Sequence, residues 1–359
     1  MKIKNIHIDK YKVFKNFDID FLDSDKKPLN LIVLAGINGS GKTSLFEFIV
    51  DKFKIASDGV LGYLVVNIKG ISGDIIIQEN LEKKLSENNS GLAELYGVME
   101  KAKEFEKKVI YLKTQEQKAN NIKKEILDYL DSLIFEKEFS AKQAYKIIAD
   151  EMSSIFEGLN IQIKFSGLDK NKEIFFENNL GEKISIDDLS TGEKELLSKI
   201  FYLHISDTKD SIILIDEPEI SLHPSWQNRI IKIYKNLAQQ NNNQIIIATH
   251  SPQIIASTPN ESLRILIKQG SNIKSYSPDA YGMQVNKALT DIMGVTELRD
   301  IEVQTQYDKV KNMILENNYK SDIFEKELSI LEKMMINDNV DFGLLKLELL
   351  KRENSDSSN

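Results

Sequence analysis

The stretch Gly36–Thr43 reads Gly-Ile-Asn-Gly-Ser-Gly-Lys-Thr and matches the pattern GxxxxGK(S/T) in full. It follows the continuously apolar run Leu31–Ala35 and precedes an apolar-periodic helix, which is the setting that this pattern requires. The glycines let backbone N–H groups converge on phosphate oxygens, and the N-terminus of the helix adds its positive end. The stretch therefore predicts a nucleotide phosphate site; the alternative is a Gly-rich turn that binds nothing.

The two last residues of this loop carry distinct predicted chemistry. Lys42 would bridge the β- and γ-phosphates, and Thr43 would place its hydroxyl on Mg²⁺. The other positions would contribute mainly through the backbone. The predicted phosphate contacts are Gly36, Asn38, Gly39, Ser40, Gly41, Lys42, Thr43 and Ser44.

Two further apolar runs, Ile212–Ile215 and Ile245–Ala248, resemble Leu31–Ala35 in lacking alternation. Such runs suit strands buried on both faces of a parallel α/β sheet, where ligands bind beyond the carboxyl ends of the strands. Asp216 follows the first run and could hold Mg²⁺, usually through water. Glu217 could orient or deprotonate the attacking water. The alternative is a solvated acidic loop.

Two more elements complete the predicted site. In Leu189–Lys194, Ser190 would cap a helix and Glu193 would close a capping box. Because a capped helix start is also an anion site, Ser190 and Gly192 could grip a γ-phosphate. His250 lies two residues beyond the strand-like run that ends at Ala248, so it could contact the γ-phosphate or the attacking water, although a lone histidine is more often structural.

The rest of the chain divides by texture. Residues 2–22 read as a half-exposed hairpin, and residues 161–188 as strands. Residues 80–158 are rich in Lys, Glu, Asn and Leu, which predicts a helical insertion. The predicted domains are an N-terminal lobe (1–79), this insertion (80–158), a second lobe (159–284) and a polar helical region (285–359) whose last residues, Glu353 to Asn359, are expected to be disordered.

Composition narrows the function classes. The 359 residues include no cysteine and four histidines, so disulfides, thiolate zinc sites and cysteine nucleophiles are excluded. With 47 basic and 55 acidic residues the net charge is −8, which argues against nonspecific coating of nucleic acid. No apolar run reaches the roughly 18–20 residues that cross a bilayer, so we expect a cytoplasmic protein without a membrane partner.

Taken in order, these motifs resemble those of ABC-type ATPases. Gly36–Thr43 corresponds to Walker A, Leu189–Glu193 to the signature, Asp216–Glu217 to Walker B, Ser221–Pro224 to the D-loop and His250 to the switch histidine. The resemblance implies a two-lobed α/β ATPase head that uses ATP and Mg²⁺. It also implies that ATP is sandwiched between two subunits, so that Ser190 and Gly192 act in trans and hydrolysis needs a dimer or higher oligomer.

Differences from the motifs of transporter ATPases indicate which branch of the ABC-type ATPases this chain resembles. Leu189–Lys194 reads LSTGEK where transporters usually have LSGGQ, and the acids continue as DEPEISLHP where transporters have DEPTSALD. This text resembles the soluble branch shared by SMC-like and OLD-family ATPases, and most of all the PtuA-type ATPases of Septu and retron defence systems, with AriA of PARIS as a near neighbour. The resemblance implies a separate nuclease partner, an HNH protein like PtuB or a Toprim protein like AriB.

No nuclease site is found in the chain itself, because no strand-end acidic pair follows residue 260 and no histidine follows His250. We therefore expect an antiviral sensor ATPase that responds to a phage or nucleic-acid trigger and controls a nuclease. An SMC-like DNA repair ATPase and a transporter subunit are the alternatives. Gln115 is a candidate Q-loop ligand of Mg²⁺ or an ordinary loop residue. Tyr11 and Phe14 are candidates for stacking on adenine, with Phe14 alternatively in the core.

Overall fold

A computed structural model of the chain describes residues 1–53, 61–67, 74–77, 106–113, 122–159, 163–169, 171–178, 180–189, 191–205, 208–220, 222–295, 299–335 and 339–356. The chain separates into two compact units, Met1–Met293 and Gly294–Asn359. The domain boundaries predicted at residues 80 and 159 fall inside the first unit. The predicted start of the C-terminal helical region, at residue 285, falls close to the end of that unit.

A six-stranded sheet forms the centre of the first unit. Its strands are β3 (Leu31–Ala35), β6 (Val109–Leu112), β10 (Ile212–Asp216), β11 (Gln244–Thr249), β12 (Leu263–Gln269) and β13 (Asn272–Tyr276). Their order is β13-β12-β3-β11-β10-β6, and every neighbouring pair is parallel except β12 with β13. The prediction of a buried parallel sheet is confirmed, and the carboxyl ends of β3, β11 and β10 meet at one edge.

Side chains of the central strands alternate between two hydrophobic layers. On β3, Val33 and Ala35 belong to one layer, whereas Ile32 and Leu34 belong to the other. Both faces are covered, which is why the strand is apolar at every position. Among the described residues, the α-helices of this unit are α1 (Lys42–Phe53), α2 (Ile122–Asp131), α3 (Ala141–Leu159), α4 (Thr191–Ile205), α5 (Pro224–Gln240), α6 (Pro252–Ser257) and the short α7 (Val285–Lys287).

The edge strand β6 corrects the prediction for the insertion. Residues 80–158 were expected to be helical, but Val109–Leu112 pairs in parallel with β10, with Tyr111 opposite Leu214. These four residues are β-branched, aromatic or aliphatic, which favours a strand where a partner strand is available. The helical expectation is met by α2 and α3, with a single π-helical turn, Ser132–Glu136, after α2.

The predicted N-terminal hairpin is confirmed as part of an antiparallel sheet. Its strands are β1 (Lys2–Tyr11), β2 (Phe14–Asp20), β4 (Leu61–Asn67) and β5 (Asp74–Ile77), in the order β2-β1-β4-β5. The apolar side chains of β1 and β2 join the same layer as α1. This sheet therefore packs beside the loop that opens α1.

A third sheet, β7 (Ile163–Leu168), β8 (Ile174–Asn178) and β9 (Lys183–Ser185), leads into α4. The strands predicted within 161–188 are confirmed for the described residues. After β9, Ser185 and Asp188 form a capping box around the short 3₁₀ helix Ile186–Asp188. Two residues separate this turn from the first turn of α4.

The second unit consists of α8 (Ile301–Leu315), α9 (Asp322–Met334) and α10 (Asn339–Asp356) around their own small core. The predicted disorder of Glu353–Asn359 is wrong up to Asp356, because α10 continues to that residue; residues 357–359 lie outside the described part. Extending an existing helix is easier than starting one, and Phe342 and Leu345 anchor α10 in the core. Among the described residues, no helix combines the length and apolar character that a membrane crossing requires.

Candidate active site

The loop between β3 and α1 contains two glycines, Gly36 and Gly41, that no other residue could replace without movement of their neighbours. Gly41 has a φ of 95°, and a Cβ there would lie 2.8 Å from Cζ of Phe14. At Gly36, a Cβ would lie 2.4 Å from the carbonyl oxygen of Leu266. Neighbouring side chains and backbone therefore close tightly on the loop, whose N–H groups are directed by the glycine conformations.

Lys42 lies almost completely buried under this loop. Its ammonium donates to the carbonyl oxygens of Gly36 at 2.7 Å and Ile37 at 3.3 Å, and its exposed fraction is 5 %. Burial lowers the pKa of Lys42 to about 8, although the carboxylates of Glu217, Asp216 and Glu219 oppose the change. Lys42 thus places a positive charge inside the loop for which the sequence predicts phosphate binding.

The carboxylate of Asp216 lies at the end of β10 and faces the start of α1. Its Oδ2 accepts hydrogen bonds from the hydroxyls of Thr43, at 3.1 Å, and Tyr111, at 3.2 Å. Burial raises the pKa of Asp216, and the two hydrogen bonds oppose that rise. A carboxylate and a hydroxyl are hard oxygen donors, so this pair fits Mg²⁺.

This pair must share the ion with other ligands. Among the described residues, no group of three or more His, Asp and Glu side chains could hold a metal ion. Mg²⁺ requires six ligands and keeps several waters, so phosphate oxygens and water would have to complete its shell. A Mg²⁺–nucleotide complex, in which phosphate oxygens supply further ligands, would fit this pair.

Tyr111 is a site residue that the sequence analysis missed. It lies on β6, and its ring makes an edge contact with Phe46 of α1, with centroids 5.6 Å apart. Its hydroxyl reaches Asp216 across the edge of the sheet. The only signal available was the apolar run Val109–Leu112 itself, which does not reveal the strand's neighbour.

We expect Tyr111→Phe to weaken Mg²⁺-dependent nucleotide binding. Loss of the hydroxyl removes a hydrogen bond that lowers the pKa of Asp216, so that pKa should rise further. Asp216 would then be protonated at a higher pH, and the acidic limb of binding should move upward. The Mg²⁺ concentration for half-maximal binding should rise about tenfold, as for other residues that orient metal ligands. Magnesium titrations between pH 5 and 8 measure both effects.

The matched control is Tyr276→Phe, because Tyr276 lies on β13, at the opposite end of the sheet from β6. It should leave the Mg²⁺ requirement unchanged. If Tyr111→Phe behaves like this control, the hydroxyl contributes only packing.

Glu217 and His250 form a close pair in the loops after β10 and β11. His250 Nε2 lies 3.3 Å from Glu217 Oε1, and His250 Nδ1 lies 3.5 Å from the ammonium of Lys42. Burial and the Lys42 charge lower the pKa of His250, which favours the neutral ring at pH 7. Since a lysine can only donate, Nδ1 is assigned as the acceptor and Nε2 as the nitrogen that donates to Glu217.

The backbone at Glu217 is held in an uncommon conformation. Its φ is 45°, in the left-handed region, and its N–H donates to the carbonyl oxygen of Ala248 at 2.8 Å. Non-glycine residues in this region cluster at functional sites, where surrounding contacts hold them. The turn places the carboxylate beside His250 instead of continuing the direction of the strand.

Glu219 is a second residue that the sequence analysis missed. Its Oε1 accepts hydrogen bonds from Thr249 Oγ1 at 2.6 Å, from the His250 N–H at 2.7 Å and from the Ser251 N–H at 3.1 Å. Burial raises the pKa of Glu219. One carboxylate oxygen thus fixes the loop that carries His250 to the loop that carries Glu217.

Several predicted residues are not located by the structure. Ser190, Ser221 and Gln115 lie outside the described residues, as does the side chain of Glu193. Gly192 is buried in the first turn of α4. The contacts predicted for the signature, the D-loop serine and the Q-loop therefore remain predictions.

The two candidate stacking aromatics are engaged elsewhere. Phe14 is fully buried and packs against Phe17 with ring centroids 4.6 Å apart, so it belongs to the core. The hydroxyl of Tyr11 donates to Asp51 at 2.6 Å, and its ring makes an edge contact with Phe48. Tyr11 thus holds the hairpin against α1, and Phe14 packs inside the hairpin.

Comparisons with known proteins agree with this geometry. Residues 85–256 match a family described as "AAA domain, putative AbiEii toxin, Type IV TA system", and residues 5–50 match a family described as "AAA domain". The Septu protein PtuA of Bacillus thuringiensis is 29% identical over 230 residues, covering 56% of this chain and 56% of PtuA. The retron Ec83 probable ATPase of Escherichia coli is 26% identical over 300 residues, covering 77% of this chain and 53% of that protein.

The chain spans about half the length of these curated relatives. Among solved structures, an Smc head bound to the C-terminal winged-helix domain of ScpA matches with a TM-score of 0.51 at 15% identity, covering 78% of this chain and 98% of that one. The predicted ABC-type head fold is confirmed, and the chain is similar in sequence to the PtuA-type and retron-type ATPases.

Proposed function

We propose that this chain, which shares the ABC-type head fold and resembles the PtuA and retron ATPases, hydrolyses ATP as part of an antiviral defence system. One observation carries the catalytic half of the proposal: Glu217, His250 and Lys42 converge within hydrogen-bonding range beyond the ends of β10, β11 and β3. The similarity to defence ATPases supports the biological half.

In the proposed reaction, water attacks the γ-phosphorus of ATP. The bond between the γ-phosphorus and the oxygen that bridges the β- and γ-phosphates breaks, giving ADP and phosphate. Glu217 accepts the proton of the water, and His250 is close enough to orient Glu217. Lys42 balances the phosphate charge. Mg²⁺, held through Thr43 and Asp216, would neutralise charge developing on the β- and γ-phosphate oxygens.

The active assembly is proposed to be an oligomer with ATP between subunits. Within one chain, the phosphate loop, Asp216, Glu217 and His250 form one half of a site. The other half of the site would come from a neighbouring subunit, as the ABC resemblance implies, through its Ser190, Gly192, Glu193 and Ser221.

The ATP-dependent assembly can be tested with Glu217→Gln, which should bind ATP without consuming it. We expect its mass by light scattering to at least double when ATP and Mg²⁺ are added. Lys42→Met, which should not bind ATP, serves as the control and should stay at the nucleotide-free mass. A Glu217→Gln protein that binds ATP yet keeps its mass would contradict the sandwich arrangement.

The chain is further proposed to control a nuclease that is a separate protein, of HNH or Toprim type, in response to a phage or nucleic-acid trigger. Purification from the native locus with ATP, followed by mass spectrometry, tests this directly. A nuclease in stable stoichiometry is the expected result. Tight binding of DNA ends by the chain alone, with no nuclease recovered, would instead support the DNA-repair alternative. The support for that alternative is the similarity of fold to an Smc head.

A further inference from the structure

One pair of polar side chains beside the His250 loop has no part in the reaction proposed above. The Ser251 hydroxyl donates to Oε1 of Gln227 at 2.6 Å, while Oε1 of Gln253, at 3.1 Å, is a more distant acceptor. Nε2 of Gln227 donates to the carbonyl oxygen of Leu222 at 3.0 Å. Since that carbonyl can only accept, the orientation of the Gln227 amide is fixed. Gln227 thus joins the loop after β11 to the loop after β10.

These two hydrogen bonds belong to a closed network, which we call the Gln227 network, whose members are Glu219, Leu222, Gln227 and Ser251. The Leu222 N–H donates to the carbonyl oxygen of Glu219 at 2.9 Å, and the Ser251 N–H donates to Glu219 Oε1 at 3.1 Å. Glu219, Leu222 and Ser251 are buried, and Gln227 is half-buried. Because hydrogen bonds away from bulk water are strong, a network of them makes the parts that it joins rigid. The Gln227 network therefore holds the loops after β10 and β11 in one arrangement.

The helices next to this network are capped without Gln227. At the start of α5, Nδ1 of His223 accepts from the Ser225 N–H at 3.3 Å. At the start of α6, the Ser251 hydroxyl oxygen accepts from the Ile254 N–H at 3.1 Å. A hydroxyl can donate its proton while it accepts, so the bond to Gln227 is additional to that cap. The side chain of Gln227 therefore stabilises the contact between the two loops and is not required to start either helix.

The part of the molecule that this network positions is the His250 ring. The N–H of His250 donates to Glu219 Oε1 at 2.7 Å, and the next residue is the one that Gln227 holds. The ring itself reaches two charged groups of the proposed site, with Nε2 at 3.3 Å from Glu217 and Nδ1 at 3.5 Å from Lys42. Displacement of a reacting group by about 1 Å can slow a reaction about 10²-fold. Small movements of this loop would thus be visible in turnover.

We propose that Gln227 is a positioning residue for ATP hydrolysis, which acts through Ser251 on the His250 ring. Its hydrogen bonds reach the loops after β10 and β11 and not the phosphate loop, so the rate of hydrolysis depends on Gln227 and the affinity for ATP does not. The inference rests on the proposed function, because it concerns the same reaction. It goes beyond that function by adding a residue of α5, a helix that contributes none of the groups assigned to the reaction.

The first test is Gln227→Met in the full chain, because methionine keeps the length of the side chain and removes both amide hydrogen bonds. We expect kcat to fall about 10- to 100-fold, with KM and the equilibrium affinity for ATP changed less than about twofold. The matched control is Asn228→Ala, which removes a bond of 3.4 Å from the Ser257 hydroxyl, outside the Gln227 network. It should leave kcat and KM unchanged. A normal kcat in Gln227→Met, or a loss of ATP affinity in place of kcat, would overturn the proposal.

Gln227→Glu separates the two hydrogen bonds of the amide. Its carboxylate still accepts from Ser251 but cannot donate to Leu222. Because the proposal routes the effect through Ser251, kcat should lie well above that of Gln227→Met and within about tenfold of the parent. An equal loss in both variants would assign the effect to the Leu222 bond and overturn the proposed route. Gln227→Ala takes the place of Gln227→Met if thermal melts show that methionine prevents folding.

Removal of His250 gives a readout that a merely structural role would not move. If Gln227 acts through the His250 ring, Gln227→Met should slow the residual single-turnover hydrolysis of His250→Ala by less than about twofold, although it slows the parent at least about tenfold. Equal factors in the two backgrounds would mean that Gln227 acts independently of His250, which overturns this inference alone. A parent chain that hydrolyses no ATP would overturn the proposed function and this inference together.

Discussion

Replacement of Glu217 by glutamine is expected to slow ATP hydrolysis by about 10²–10⁴-fold while ATP binding persists. The amide has nearly the shape of the carboxylate but cannot accept the proton of the attacking water. Its position would be kept, because the backbone turn at Glu217 is fixed by the hydrogen bond to Ala248 and not by the side chain. Phosphate release at saturating ATP, together with binding of ATP in equilibrium, measures the two quantities separately.

Two control variants test whether the loss of hydrolysis is specific to Glu217. Glu302→Gln changes an exposed carboxylate in the second compact unit and should leave turnover unchanged. Glu219→Gln should retain part of the activity, since Glu219 fixes the His250 loop and does not itself face the reacting water in the proposed reaction. If Glu217→Gln hydrolyses ATP at the normal rate, the proton acceptor has been assigned to the wrong residue.

Lys42→Met is expected to abolish ATP binding and, in nucleotide-free buffer, to raise the thermal stability of the protein. Burial that lowers the pKa of Lys42 to about 8 means that the folded state holds this proton less well than the unfolded chain does. A methionine of similar length removes that cost and retains the packing. We expect an increase in Tm of about 2–6 °C, because one kcal/mol shifts Tm by about 2–4 °C in domains of about 150–250 residues and the hydrogen bonds that Lys42 donates offset part of the cost of burial.

The pH dependence of this effect has a definite sign. Below pH 8 both states carry the proton, and the cost of burying the ammonium is fully present. Between pH 8 and 10.5 the folded state loses the proton first, so the wild-type protein becomes relatively more stable as pH rises. The advantage of Lys42→Met should therefore be largest at pH 7 and shrink toward pH 10.

Thermal melts of both proteins at pH 7 and 10 check this expectation. The competing contribution comes from the hydrogen bonds that Lys42 donates to Gly36 and Ile37. A lower Tm for Lys42→Met at pH 7 would mean that these bonds outweigh the cost of burial. The chemically matched control is Lys27→Met, which removes an exposed lysine and should not change Tm.

The parts of this molecule that sequence predicts well are those with a local signal. The phosphate loop is a contiguous pattern, and the buried strands around Ile213 and Ile246 are continuous apolar runs, so both could be placed without knowing their neighbours. His250 and Glu217 were found because each lies two residues beyond such a run. In these cases the chemistry and the strand that positions it are adjacent in the chain.

The parts that sequence missed depend on distant partners. Tyr111 gains its role from Asp216, 105 residues later, and Glu219 from Thr249 and its neighbours, about 30 residues later. A tyrosine in a four-residue apolar run within Lys- and Glu-rich text gives no sign that it will join a sheet. Likewise, an acid two positions after Glu217 cannot be distinguished from a solvated loop acid until the partner loop is in place.

The position of β6 at the end of the sheet has a consequence for communication along the chain. Within the described residues, β6 pairs only with β10, and edge strands open at lower free energy than central ones. Its Tyr111 hydroxyl nevertheless bonds to the carboxylate proposed to hold Mg²⁺. If a Mg²⁺–nucleotide complex protects this edge from opening, linkage requires the reverse as well. A partner that binds β6 and keeps it paired would then raise the affinity for the nucleotide by the same factor by which the nucleotide raises the affinity for that partner. Amide hydrogen exchange at Val109–Leu112 would report this coupling directly.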